Sequence, residues 1–402
     1  MSDYSSASES IQGAQTLSAP YGMSIAIITL GLGGLFIGTG EFASMSLLPA
    51  MAESTGVSIP VAGAYISAYA LGVVIGAPLI AALGARSSRK TLLLLLMALF
   101  IIGYAASVLA CSYPSLLAAR FVSGLPHGAY YGVASLLAAA MAPPQRRAQA
   151  IGYVMLGLAA ANVIGVPVAT WLGQILGWRT AFGTIGACGL VAAAMITIFI
   201  PHLAPAAGVT ARTELAALRS PQVWLTLGVA SVGFGGMFAV YSYITPTLTE
   251  VTHLRLDSVP MALMTWGAGM VVGNLIGGWL ADRALISAIF GMLVWNIVFL
   301  GLFSITASSV PWAMFTLFLI GNGFALVPAL QARLMLVAGK AQTLAAALNH
   351  SAFNISNAVG ATLGGLAIAH GQGWSSTGWV GALLAFGGLL LMTAAIYSAA
   401  DA

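Results

Sequence analysis

Residues 31–49 read GLGGLFIGTGEFASMSLLP, a glycine-rich apolar run long enough to cross a bilayer as a helix of about 20 residues. Glu41 lies inside it and is the only acidic side chain within any hydrophobic segment of the chain. A carboxylate in hydrocarbon costs roughly 3 kcal/mol or more unless it is protonated, paired or turned toward water, so its presence points to function. The plainer alternative is that it snorkels or pairs structurally.

Working outward, 60% of the 402 residues are hydrophobic and 5% are charged, and the mean hydropathy is +0.99. No soluble domain of this size has that balance. The pI of about 9.2 does not signal nucleic acid, because the few basic residues sit in short turns between apolar runs, where they report orientation. Cys111 and Cys188 are far apart in or beside apolar runs and suggest neither a disulfide nor a metal site. No cofactor motif is present. Glycines pair inside helices, and no Gly-rich phosphate loop follows a strand, so ATP does not drive this chain by itself.

Residues 1–22 are rich in Ser, Ala and Gln and lack a basic leader region, and a disordered cytoplasmic tail is expected. Apolar runs then follow near 23–50, 61–83, 91–112, 115–140, 149–171, 180–200, 223–246, 258–280, 285–306, 310–336, 341–369 and 375–398. These are expected to be twelve transmembrane helices, because a helix satisfies its own backbone in lipid. The longest break, residues 201–222, contains Pro201, Pro205, Arg212, Arg219 and Pro221. It reads as a cytoplasmic linker between an N-terminal half, 23–200, and a C-terminal half, 223–398. With the N-terminus inside, the cytoplasmic turns collect Arg86, Arg89, Lys90, Arg146, Arg147, Arg212, Arg219, Arg283, Arg333 and Lys340. Arg120, Arg179 and Arg255 fall at or near the other side. The positive-inside rule then puts both termini in the cytoplasm.

The halves repeat. Gly72, Gly76 and Arg86 recur 197 residues later as Gly269, Gly273 and Arg283, and the same shift takes Pro49 to Pro246 and Gly124 to Gly321. The expected fold is an all-α membrane protein: twelve helices in two pseudo-symmetric six-helix halves around a central cavity, with the substrate near the midplane. That shift carries Glu41 onto Phe238 and Arg120 onto Leu317, so ion-coupling chemistry is expected in the first half and cavity shaping in the second. Spans 3, 6 and 12 lack charged residues, histidine and carboxamides, and span 9 has only Asn296. Every third span is therefore expected to face lipid.

Glu41 precedes Pro49 by about 12 Å of helix and Arg120 follows Pro114 by about 9 Å, which brings acid and base to one depth. An ion pair that opens on arrival of a proton or substrate is one reading, and a static pair is the other. His127 lies deeper and could relay protons or contact substrate, or simply pack beside Gly124 and Gly128. His127, Tyr130, Tyr131, Asn162, Tyr241, Trp266, Asn322, Asn349 and Asn354 form the candidate substrate set. For Asn349, Asn354 and Asn357, interhelical hydrogen bonding is the competing explanation.

Several stretches resemble the major facilitator superfamily over nearly the whole chain: GTGEF (38–42) with LLP (47–49), LLAARFVSGLPHGAYYGVAS (116–135), GVP (165–167), GWR (177–179) and GGWLADR (277–283). The likeness is to the twelve-span drug:proton antiporter group and its arabinose-efflux-permease-like branch. It implies a proton-coupling role for Arg120, a bending and sealing role for Gly165 and Pro167, and a gate built from Arg86, Arg89, Lys90, Asp282 and Arg283. The sequence departs from the family at Ala85, where the gate motif has an aspartate. It departs again at Val166, which splits the usual Gly-Pro pair, and at Ala169-Thr170, where two glycines are common.

The expected function is proton-coupled efflux of a small amphipathic molecule, such as a drug, sugar or nucleoside, by a monomer in the bacterial inner membrane. The rival is an uncoupled facilitator or importer. A sensor or scaffold would carry a soluble domain or long charged tail, and an enzyme would need nucleophile, base and orienting group at one depth. The sequence offers neither.

Overall fold

The computed structural model describes residues 22–57, 59–84, 87–202, 211–255, 258–339 and 341–400, and among these every regular element is a helix. Residues 1–21, Ala85, Arg86, 203–210 and Lys340 lie outside the described residues, and with them the expected tail, one gate arginine and part of the linker.

The long helices are α1 (Met23–Ser46), α2 (Ala64–Gly84), α3 (Arg89–Leu109), α4 (Tyr113–Met141), α5 (Pro144–Leu176) and α6 (Trp178–Phe199). They continue with α7 (Pro221–Ser242), α8 and α9 as the limbs 259–283 and 285–306 of Val259–Thr306, α10 (Val310–Val337), α11 (Gln342–Ala369) and α12 (Ser376–Ala400). Nine of the described helices, taking Met261–Thr306 as one, are long and apolar enough to cross a membrane. The α8–α9 bend is one residue, Ala284, at φ −155° and ψ 75°.

Local chemistry sets the helix ends. Ser88 caps α3 by accepting the Thr91 N–H at 3.1 Å, and Ser112 with Ser115 forms a reciprocal capping box at α4. In α5 the residues Ala161–Gly165 widen into a π turn, in which the Val166 N–H reaches the Ala161 carbonyl. Pro167 has no N–H for the next bond, so the ladder must shift there. The sequence reading placed a bend at this motif but did not foresee a π turn.

Glycines set the closest helix approaches. A Cβ on Gly72 would collide with the Phe121 carbonyl, and one on Gly269 with the Phe318 carbonyl. Gly76 abuts the Leu125 backbone and Gly273 that of Asn322. Gly124 meets the Tyr69 carbonyl and Gly321 that of Trp266. Each second contact is its predecessor moved by 197 residues, partners included. The α2–α4 and α8–α10 crossings are thus the same small-residue packing used twice.

The ends of α2 to α5, α8 and α9 that carry Arg89, Lys90, Arg146, Arg147 and Arg283 form one basic end of the bundle. There α4 and α2 pack on α11, and α5 packs on α8. Asn274 Nδ2 donates to the Gly152 carbonyl at 2.6 Å, and the Asp282 carboxylate accepts the N–H groups of Ala148 and Gln149 at 2.7 and 2.8 Å. These contacts tie α5 to α8 at and below the basic end.

Candidate functional site

The glycines of the opening stretch are notches for aromatic rings. Tyr130 and Tyr131 of α4 lie against Gly33 and Gly34, and Tyr104 of α3 lies against Gly40. The Tyr130 hydroxyl donates to the Leu30 carbonyl at 2.9 Å and the Tyr131 hydroxyl to that of Gly34 at 2.6 Å. This docking fixes the rotation of α1 and turns Glu41 inward.

Glu41 opens onto a central cavity of about 60 Å³, room for a few waters. Its walls come from α1 (Glu41, Phe42), α4 (His127), α5 (Leu158, Asn162), α7 (Phe234, Met237, Phe238, Tyr241), α8 (Trp266, Met270), α10 (Phe324) and α11 (His350, Phe353, Asn354, Asn357). The acid's side chain is 12% exposed, and its Oε2 lies 3.7 Å from Nδ1 of His127. The same Nδ1 is 3.0 Å from the Tyr69 hydroxyl. When Nδ1 accepts from Tyr69 the ring hydrogen is on Nε2 and Nδ1 has none to donate to the acid, and when Nδ1 carries a hydrogen it can face the carboxylate. His350 stacks on Tyr131 with ring centroids 4.5 Å apart and lies 5.7 Å from the His127 ring. Its Nε2 has no hydrogen-bond partner.

Arg120 does not touch Glu41. The expected Glu41–Arg120 ion pair does not form. Arg120 is fully buried, and its guanidinium lies 4.5 Å from the Tyr69 ring centre, 5.4 Å from that of Phe182 and 5.9 Å from that of Tyr104. Nη1 donates to the Tyr104 hydroxyl at 3.4 Å. Equal depth does not fix direction: α4 turns Arg120 toward α2, α3 and α6, and His127 takes the place beside the acid.

Of the candidate substrate set, His127, Asn162, Tyr241, Trp266 and Asn354 line the cavity, while Tyr130, Tyr131, Asn322 and Asn349 do not. The tyrosines are committed to α1. Asn322 Nδ2 folds back to the Phe318 carbonyl at 2.8 Å, and Asn349 Nδ2 donates to Gln331 Oε1 at 2.6 Å. His350 and Asn357 were not in the set. A signal existed: positions 350, 354 and 357 fall on one helix face, about 100° around from 349. The 197-residue shift also pairs Glu41 with Phe238 and His127 with Phe324, all four on the wall. At these two positions the titratable residue thus stands in the first copy and its aromatic counterpart in the second, a division that His350 does not follow.

Among the gate candidates, Lys90 Nζ donates to the Thr197 carbonyl at 2.6 Å, and the Arg283 guanidinium stacks 3.6 Å from the Trp279 ring centre. Arg89 starts α3. Gly165 abuts the Thr39 side chain, which leaves no room for a Cβ between α1 and α5. Among the described residues no group of three or more His, Cys, Asp or Glu side chains could hold a metal.

Apolar helices around a cavity with one acid and two histidines define a membrane transporter. The chain belongs to the Major Facilitator Superfamily, whose sequence pattern matches residues 30–343. It is 38% identical over 374 residues to the inner membrane transport protein YdhP of Escherichia coli K12, covering 91% of this chain and 94% of that one. It is 31% identical over 377 residues to a chloramphenicol resistance protein of Streptomyces lividans, covering 92% and 95%. In three dimensions it is similar to the E. coli fucose:proton symporter FucP, with a TM-score of 0.75 and 14% identity over 93% of this chain and 99% of that one. That last likeness concerns the fold alone. The named relatives are transporters and not enzymes.

Proposed function

We propose that this protein exports a small amphipathic molecule, such as a drug, sugar or nucleoside, across the bacterial inner membrane in exchange for protons. On this reading α1 to α12 are twelve spans in two pseudo-symmetric halves, 23–200 and 223–398, joined by 201–222. The basic end and both termini face the cytoplasm, and a single chain suffices. The halves rock about the central cavity, and the α5–α8 ties at the basic end belong to the state open to the other side.

The observation that carries the reading is Glu41, the only carboxylate in the apolar segments, on the cavity wall 3.7 Å from His127. A proton entering the cavity neutralises Glu41 and releases it from His127. Substrate then competes with that proton for the same wall, which links the two binding events. Aromatic rings from α7, α8, α10 and α11 would take the substrate's apolar body, and Asn162 and Asn354 its polar groups. Arg120, held in its aromatic cage by α4, keeps a fixed positive charge near the acid. Asp282 and Arg283, with Arg89 and Lys90, hold the basic end, and Gly165 with Pro167 gives α5 its hinge.

The test uses everted vesicles energised to acidify their interior and offered chloramphenicol, arabinose and inosine in turn. At least one should accumulate and be lost on adding a protonophore, and Glu41→Gln should abolish that accumulation while leaving protein in the membrane. Undiminished accumulation by Glu41→Gln contradicts the proposal. Accumulation-free equilibration indifferent to the protonophore identifies an uncoupled facilitator instead.

A further inference from the structure

The two ends of the 197-residue repeat are braced differently at the basic end. In the second copy, Asp282 lies in the last turn of α8, past the apolar run that ends near residue 280, and accepts two N–H groups near the start of α5, those of Ala148 and Gln149. A carboxylate there meets both unpaired N–H groups and the positive end of the helix. In the first copy the corresponding residue is Ala85, whose side chain has no acceptor to offer. Moving Ala148 and Gln149 by the same 197 residues lands on Ala345 and Ala346, in α11 just past its first turn at Gln342–Leu344.

That helix start is not left bare. The short helix Ala211–Leu215, in the segment between the halves, packs on both α2 and α11. It carries Glu214, which is 1% exposed. The Glu214 carboxylate accepts the Leu344 N–H at 2.9 Å and is hydrogen-bonded to Thr343 through backbone and side chain. Arg89, at the start of α3, interacts with it electrostatically. One buried acid therefore holds the second half through the first turn of α11, while the short helix that carries it packs on α2 of the first half and the Arg89 charge acts on it from a distance.

We infer that Glu214 is a gate residue of the transport cycle, a linker carboxylate that closes the basic end by holding the first turn of α11, the task for which the repeat would have used position 85. The inference rests on the proposed alternating access. A buried carboxylate is tolerated only while its partners are in place, so opening the basic end separates Glu214 from the α11 N–H groups or from Arg89 and exposes it to water. The linker thus takes part in the switch, and cutting or lengthening it alters the gate as well as the tether.

Spin labels at Gln145 and Leu336, on opposite halves near the basic end, read the gate directly once Cys111 and Cys188 are replaced by Ser. The full chain is measured in lipid nanodiscs by the distance distribution between the labels. Glu214→Ala should raise the ratio of long to short distances about tenfold, the scale expected for losing charge-assisted hydrogen bonds. Glu214→Gln, which keeps the shape and one acceptor, should give a smaller rise, and Glu214→Ala combined with Ala85→Asp should restore the short distance. Asp282→Ala serves as the control for the other brace. If Asp282→Ala opens the end while Glu214→Ala and Glu214→Gln leave the distribution unchanged, the inference is wrong and the moving gate stands. If no variant shifts it, the moving gate itself is wrong and the inference goes with it.

Discussion

Arg120 shows how a charge is kept at zero exposure without a carboxylate in contact with it. Three aromatic rings within 6 Å and the Tyr104 hydroxyl supply the partners, and a guanidinium suits ring faces better than an ammonium does. Arg120→Lys should therefore lower the melting temperature of the purified protein, a loss of about 1–2 kcal/mol, and Tyr69→Phe should not. An Arg120→Lys protein as stable as the parent would mean that the rings contribute nothing. Tyr69→Phe instead removes the hydroxyl 3.0 Å from His127, so its effect should appear in transport as a shifted pH profile with stability kept. At this scale the sequence disclosed identity and depth but not direction. Glu41 stands out because it is the only acid in apolar sequence, whereas its partner depends on how α1 and α4 are rotated against each other. That rotation is set by Tyr130 and Tyr131 seating on Gly33 and Gly34, a fit between two helices that one helix's periodicity does not contain. Asn349 and Asn354 differ for a simpler reason: five residues apart, they leave the helix on different faces.

Helices in this protein meet through backbone contact at glycine, and the tolerance of those crossings follows. Gly72→Leu and Gly269→Leu each force a side chain into a carbonyl of the neighbouring helix, so each should destabilise the protein by about 1–3 kcal/mol, read as a lower melting temperature. Because the two sites are one contact repeated, their losses should be alike, and a large loss at one beside none at the other would contradict the shared packing. The Asp282 brace adds a pH dependence. Burial pushes the Asp282 carboxyl above the usual aspartate value, against the N–H groups of Gln149 and Ala148 and the nearby Arg283 and Arg146, which hold it down. A carboxyl raised in the folded protein contributes stability below its unfolded value, about 3.9, and loses that contribution as pH rises through the folded value. The melting temperature of the parent relative to Asp282→Asn should fall across that window and level off above it. A difference independent of pH would show that the brace does not titrate. The repeat was legible from the spacing of glycine, arginine and proline, whereas which helices cross at those glycines was not. The π turn in α5 and the Glu214 brace were not, the first because Pro167 can be absorbed by several backbone adjustments. The second was missed because a short polar connector carries no pattern that says what it touches.

For the whole molecule, the two copies have diverged in one direction. Glu41 and His127 have Phe238 and Phe324 as their counterparts on the cavity wall, and Arg120 has Leu317, so at these three positions the ionisable residue stands in one copy and an apolar one in the other. The shift of 197 residues made this division readable from sequence. His350 was the part it concealed, since a histidine in the second copy runs against the trend. The central claim is that Glu41 gains and loses a proton from the cavity. Infrared difference spectra of the full-length protein in lipid, recorded between acidic and alkaline pH, test it most directly through the stretch of the protonated carboxyl group. The account predicts a titrating band from a carboxyl in an apolar setting that vanishes in Glu41→Gln and keeps its place in Asp282→Asn. Identical carboxyl bands in the parent and Glu41→Gln would contradict it.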